Sequence, residues 1–186
     1  MTRTAAFILA CLISTSLQAQ TVVRPDPPLD VNRARVRDVL LVLRDSLNAI
    51  DAAAGRLQRD SRQTSAASLV SRARVMRDAC GSSARAVDPA RTTVIGARVV
   101  GTTGARRRLD MVRGLDVLSG ELAHCRSEFA SMGEAGQGER VRDYGNDRAA
   151  RIQSALRAYE RTLSRFLGTM GIKIEPLGAG ASPLAG

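Results

Sequence analysis

Apolar residues recur along the chain at alternating spacings of three and four, and they form four separate stripes. Because an α-helix has about 3.6 residues per turn, each stripe lies along one helix face. The first stripe is Val36, Leu40, Leu43, Leu47, Ile50, Ala54 and Leu57. The second is Leu69, Ala73, Met76, Cys80, Ser83 and Val87. The third is Met111, Leu115, Leu118, Leu122, Cys125, Phe129 and Met132. The fourth is Ile152, Leu156, Tyr159, Leu163, Phe166 and Met170.

Capping and helix-breaking residues set the ends of the four predicted helices. Asp30, Ser65 and Asn146 can each accept a hydrogen bond from a first-turn amide. Asp88-Pro89 is expected to end the second helix, because proline disfavours helical geometry in the residue before it. The glycines in 133–138 end the third helix and form a linker. The predicted helices are therefore about 31–62, 65–87, 108–132 and 147–170.

The long connection at 89–108 is the least regular part of the pattern. Residues 92–95 and 98–100 are rich in β-branched side chains, and Gly96-Ala97 lies between them. This order predicts either a small β-hairpin or an irregular connection, and a lone two-stranded hairpin is only marginally stable.

Four amphipathic helices in succession predict an all-α fold. With two short connections and one long one, the expected architecture is a single four-helix bundle over 31–171, antiparallel in up-down-up-down order. Residues 20–30 are expected to form an extended, proline-rich lead-in. Residues 172–186 are rich in Gly, Pro and Ala and are expected to be a flexible tail.

The first nineteen residues have the layout of a secretory signal peptide. Arg3 supplies the positive charge, 5–13 the apolar region, and Ala19 the residue before the expected cleavage site. The apolar run is much shorter than the ~20 residues that a membrane-spanning helix needs. We therefore expect a periplasmic or extracellular protein with no transmembrane segment in the mature chain. The alternative, lipidation at Cys11, would leave an apolar region shorter than the usual ~7–15 residues.

Export makes a disulfide between Cys80 and Cys125 possible, because thiols are readily oxidised outside the cytoplasm. At about 1.5 Å of rise per residue, Cys80 lies about 22 Å above the first interhelical turn. Cys125 reaches the same height only if residues 89–108 climb to the level where the first helix begins. We predict this register and the disulfide; the alternative is two buried free thiols.

The chain is strongly basic, with 28 Lys and Arg against 18 Asp and Glu and a formal net charge of +10. The only basic run is Arg106-Arg107-Arg108, followed by Arg113, and we regard these four residues as a candidate anion-binding site. The alternative is that the arginine excess is a general compositional bias, with the charges spread over solvated helix faces and no binding role. Nucleic-acid binding is not expected, because the basic residues are dispersed and aromatic residues are scarce.

Catalytic and metal-binding motifs are weak. Glu121 and His124 are spaced like one half of a di-iron site in a helical bundle, but His124 is the only histidine, so the second half is missing. A haem ligand pair would need that histidine to face a methionine in the core. No nucleophile–base arrangement or phosphate-binding loop is evident. We therefore expect no enzyme activity, cofactor or metal.

These observations favour an exported helical bundle that works by binding, with an envelope protein or an anionic surface as its partner. The alternative function is a carrier of a small ligand or cofactor, such as haem, in the bundle core.

Overall fold

The computed structural model describes residues 30–147 and 149–178, and this part of the chain is all-helical without strands. The predicted signal peptide, the lead-in up to residue 29 and residues 179–186 lie outside the described residues. The all-α prediction is confirmed, but the structure has five helices rather than four. They are α1 (Val31–Asp60), α2 (Ala66–Ile95), α3 (Gly101–Glu134), α4 (Gly138–Asp147) and α5 (Ala149–Met170).

The core is built from the four predicted stripes, since every residue in them is buried. Helices α1, α2, α3 and α5 carry one stripe each and turn it towards the others. The two predicted N-caps at the start of α1 and α2 are present. Asp30 accepts from the Arg33 amide at 2.9 Å, and this hydrogen bond lowers the pKa of the Asp30 carboxyl. Ser65 accepts from the Ser68 amide at 3.4 Å.

Helix α2 does not end at Asp88-Pro89, and the predicted end at residue 87 is wrong. The helix continues to Ile95 with Pro89 inside it. Its apolar stripe also continues, because Ala90 and Val94 are both fully buried. Pro89 itself is exposed, so its ring is not inserted into the core. Burial of the extra turns therefore outweighs the cost of about 3 kcal/mol for a proline within a helix.

No β-hairpin forms within 89–108, because residues 92–95 belong to α2; residues 98–100 are irregular, which was the other alternative for this segment. Only residues 96–100 connect α2 to α3, and Gly101 begins α3 at a φ of +71°, which glycine adopts without strain. The connection nevertheless climbs as the disulfide register requires. The Arg98 amide donates to Asn32 Oδ1 at 3.0 Å, at the level where α1 begins.

A linker at 133–138 and a helix cap at Asn146 were predicted, but α4 fills most of this interval and Asn146 lies inside it. Helix α3 ends in a left-handed turn at Gly136 (φ +63°), closed by a hydrogen bond from the Gln137 amide to the Met132 carbonyl at 3.0 Å. Helix α4 then buries Val141 and Tyr144. These two residues are three positions apart, which is about one helical turn. An apolar pattern of one turn, with glycines on both sides, is too short to predict a helix from the sequence.

Helix α4 closes the end of the molecule where α1 turns into α2. Its backbone approaches closely at two glycines: Gly138 contacts Ala66, and Gly145 faces Ser61, so that a side chain at either position would collide with its neighbour. Arg142 donates to the carbonyl oxygens of Ser61 at 3.2 Å and Thr64 at 3.1 Å. The cation thus satisfies carbonyl groups that the end of α1 leaves unpaired.

The first part of the predicted flexible tail is packed against the helices. Ile172 is buried, and the amides of Leu177 and Gly178 donate to Glu160 Oε1 at 2.9 Å and Asn48 Oδ1 at 3.0 Å. Residues 172–178 therefore lie against α1 and α5. The flexible tail was predicted from composition alone. That prediction overlooked three spaced aliphatic residues, Ile172, Ile174 and Leu177, which pack in or against the core.

Candidate functional site

The predicted cysteine pair lies at disulfide distance. The two sulfur atoms of Cys80 and Cys125 are 1.96 Å apart, with their Cα atoms 6.1 Å apart. Both residues are buried on facing stripes, so the pair joins α2 to α3 inside the core. Because both cysteines are buried, their sulfur atoms are not accessible to react with a molecule in the solvent.

The four predicted anion-binding arginines do not form one cluster, because consecutive residues on a helix point about 100° apart. Arg108 turns back and donates to the Ala97 carbonyl at 3.0 Å, at the end of α2. Arg107 faces Asp110 at 3.9 Å. Arg106 and Arg113, seven residues apart, lie on the same exposed side of α3.

Exposed aliphatic residues lie beside Arg106 and Arg113. Leu109 and Val117 are 56% and 66% exposed, and with the two arginines they form a stripe along the outer face of α3. Val100, which directly precedes α3, is 92% exposed. Large aliphatic side chains that are this exposed and this close together often mark interaction sites.

The α2–α3 connection and the start of α1 extend this surface across one end of the molecule. Ile95 and Val31 are also exposed there, and the hydrogen bond between the Arg98 amide and Asn32 holds the two segments together. We call the whole the arginine–aliphatic surface, and it comprises Val31, Ile95, Arg98, Val100, Arg106, Leu109, Arg113 and Val117.

The electrostatics of this surface are positive. The side chains of Arg98, Arg106 and Arg113 are exposed, and within the described part of the chain none of them has an ion pair or side-chain hydrogen bond. Two acidic residues, Asp110 and Asp116, lie beside the α3 stripe. Arg107 faces the first at 3.9 Å and Arg91 binds the second at 2.6 Å. The amino terminus of α3 adds its own partial positive charge, which disfavours a cluster of arginines unless an anion is bound.

The Glu121/His124 motif does not form a metal site. His124 pairs with Glu128 at 3.2 Å rather than with Glu121, and Glu121 binds Arg151 of α5 through both carboxylate oxygens at 3.1 and 3.2 Å. No group of three or more potential metal ligands occurs within residues 30–147 and 149–178. The His124 side chain is 49% exposed, so it cannot ligate a group in the core.

Two buried hydroxyl groups, those of Ser83 and Tyr159, have no hydrogen-bond partner in the structure. Burial raises the pKa of the Tyr159 phenol, so this group stays protonated at neutral pH. A protonated phenol held against apolar side chains is a poor general base. These hydroxyls therefore give no indication of catalysis.

A cleft with a volume of about 450 Å³ lies between α3 and α4. Two acidic residues, Glu128 and Asp143, and one basic residue, Arg140, line this cleft, so it is not a site of concentrated positive charge. A second cleft, of about 440 Å³ between α2 and α3, has three arginines in its lining. Sequence reasoning missed this cleft, because Arg77, Arg85 and Arg126 come from two helices and are far apart in the chain.

None of the helices within the described ranges is both long enough and apolar enough to cross a membrane. Comparison with protein-family models, with curated proteins and with solved structures finds no match to this chain. The case for a function therefore rests on the residues themselves.

Proposed function

We propose that this protein is an exported, non-catalytic binding module that attaches to an anionic lipid surface through its arginine–aliphatic surface. The single observation that carries the proposal is the alternation of exposed aliphatic and unpaired arginine side chains, Arg106, Leu109, Arg113 and Val117, leading to the protruding Val100. Aliphatic tips can enter the interfacial region of a bilayer while arginines bind the phosphate groups around them.

The composition of the surface favours lipid over a protein partner. Strong protein–protein contacts are centred on Trp and Tyr as well as Arg. This chain has no Trp, and both of its tyrosines, Tyr144 and Tyr159, are buried. The net charge of +10 would also draw the molecule towards any anionic layer before contact.

The proposal includes an arrangement of the four long helices as an antiparallel bundle, with α4 across one end. Contacts between neighbouring segments support this arrangement. Along each pair of neighbours, the residue numbers of the contacting residues rise in one segment and fall in the other, as expected for antiparallel helices. These pairs are Asp60–Arg72 and Asn32–Arg98, Ala73–Gly133 and Arg91–Asp116, Glu121–Arg151 and Gly114–Thr162. In this arrangement the arginine–aliphatic surface runs from the end opposite α4 to the middle of α3.

The predicted signal peptide agrees with this proposal, because export would place the protein next to a membrane. A disulfide-distance pair in the core is also typical of proteins outside the cytoplasm. The alternative function, a haem carrier, lacks an inward histidine, since His124 is half exposed.

Vesicle sedimentation tests the proposal. The protein is expected to bind vesicles containing phosphatidylglycerol and not vesicles of phosphatidylcholine alone, with binding that weakens as salt increases. At roughly 1 kcal/mol per arginine near an anionic membrane, the double substitution Arg106→Gln/Arg113→Gln should weaken binding about thirtyfold. Val100→Ser should also weaken it.

The matched controls are Arg157→Gln and Val42→Ser, both exposed and away from the surface. They should leave vesicle binding unchanged. Absence of binding to anionic vesicles would overturn the proposal, and so would equal losses in the controls. Capture of an acidic protein without vesicle binding would assign the surface to a protein partner instead.

A further inference from the structure

The cleft between α2 and α3 lies about midway along α2, away from the arginine–aliphatic surface. Its floor is Gly81, a buried glycine in the middle of α2. Gly81 and Arg126 directly follow Cys80 and Cys125 in the chain, so the disulfide-distance pair fixes the spacing of the two helices here.

Two guanidinium groups converge over Gly81. A Cβ atom placed on this glycine would lie 3.7 Å from Arg126 Nε and 3.9 Å from Arg85 Nη1. Both arginine side chains therefore border the space over the Gly81 Cα, and this glycine has no side chain to fill that space. Neither Arg85 nor Arg126 has an ion pair or hydrogen bond with any residue of the described ranges.

The acidic residues of the cleft do not neutralise these two arginines. Asp78 is bonded to Arg77, with its Oδ1 2.9 Å from Arg77 Nε, and Glu134 interacts electrostatically with the same Arg77. The cleft is thus divided, with an acid-paired arginine at one end and two unpaired arginines at the other. Two like charges that converge without a counter-charge repel each other, and an anion between them removes that repulsion.

We propose that Arg85 and Arg126, above Gly81, form a binding site for a compact oxyanion of the phosphate type. An oxygen atom over Gly81 can accept from both guanidinium groups, and such charge-assisted hydrogen bonds are about twice as strong as those between neutral groups. The helix spacing is held by a covalent link in the core, so the two donors need little ordering when the anion binds. This site is independent of the proposed attachment to lipid.

The test is an NMR titration of the full chain with inorganic phosphate and, separately, with glycerol phosphate, at constant ionic strength. Arginine Nε–H signals of Arg85 and Arg126 are expected to shift and saturate. Saturation by inorganic phosphate identifies a free anion as the ligand source, and saturation only by glycerol phosphate identifies a lipid-type headgroup. No saturable shift with either compound overturns the proposal.

Three variants sharpen the result. Arg85→Gln and Arg126→Gln should each weaken binding about tenfold or more, given the usual strength of a charged hydrogen bond. Gly81→Ala should weaken binding, because the added methyl group projects into the space that the anion would occupy over the Cα. It should also raise the melting temperature, because alanine favours a helix over glycine and its Cβ has ordinary contacts there, 3.5 Å at the closest.

Arg157→Gln on α5 is the control and should bind as the wild type does. If this control loses as much affinity as Arg126→Gln, the binding is a general effect of net charge and the proposed site is wrong. If Gly81→Ala binds phosphate as tightly as the wild type, the anion does not lie over Gly81, and the proposal is likewise wrong.

Discussion

Reduction of the Cys80–Cys125 pair is expected to destabilise the protein strongly. The two residues are 45 positions apart in sequence. In the chain-entropy model, a crosslink that closes a loop of this size stabilises the folded state by about 4 kcal/mol. For a chain of this length, about 2–4 °C of melting temperature corresponds to 1 kcal/mol, so reduction should lower the melting temperature by about 8–16 °C.

The assay compares urea denaturation of oxidised and reduced protein. The double variant Cys80→Ser/Cys125→Ser serves as the control for the reductant, because a reducing agent should not change its unfolding midpoint. Alkylation of denatured, unreduced protein followed by mass measurement counts the free thiols. Cys11 is the third cysteine of the chain and provides an internal standard, since it is labelled only in molecules that keep the signal peptide.

Two results would refute this reasoning. One is alkylation of both Cys80 and Cys125 in denatured, unreduced protein from an oxidising compartment. The other is an unfolding midpoint that does not change on reduction, which would show that the link adds nothing to packing that is already complete.

The other predictions concern packing, the proline and export. Leu43→Ala and Leu122→Ala should each cost about 2–5 kcal/mol in urea denaturation, because both side chains are fully buried; a loss no larger than that of Arg157→Ala would contradict this. Pro89→Ala should raise the melting temperature, because it restores an amide donor within α2; an unchanged or lower value would show that the proline fits this helix without strain. Mass spectrometry of the native protein should find an amino terminus just after Ala19, and a cytoplasmic protein that begins at Met1 would contradict export.

Much of the core could be predicted from the sequence, because burial follows the helical period. Every residue in the four predicted stripes is buried, including Ser83, which is polar. The disulfide-distance pair followed from the same stripes, combined with the rise of a helix. These inferences depend on regular geometry repeated over many residues.

The failures all involve places where a local preference was outweighed by packing. Pro89 and the β-branched run 92–95 argue for a break, yet Ala90 and Val94 bury enough surface to continue the helix. Helix α4 was missed because glycines surround its short apolar pattern. Two of the glycines, Gly138 and Gly145, allow close approach to α2 and α1, and Gly136 allows the left-handed turn that ends α3.

The candidate site could be predicted only in part, since sequence neighbours on a helix diverge in space. The run 106–108 looked like one cluster, but Arg108 is occupied by the Ala97 carbonyl. The opposite error concerns Arg85 and Arg126, which are distant in sequence and meet over Gly81. Whether two side chains on different helices meet depends on how far one helix is shifted along the other, and amino-acid composition does not reveal that shift.

The covering of one end by α4 has a consequence for self-assembly. The outward residues of α4, including Glu139, Arg140 and Asp143, are exposed and polar, whereas the opposite end carries exposed aliphatic side chains. Head-to-tail stacking of copies would place the polar residues of α4 against the exposed aliphatic side chains of the next copy. Such a contact would bury charged groups without partners, so the two ends do not complement each other. Open-ended filaments need such a heterologous contact to repeat. An assembly formed through the proposed arginine–aliphatic surface would therefore place α4 on its outside and would not extend into a filament.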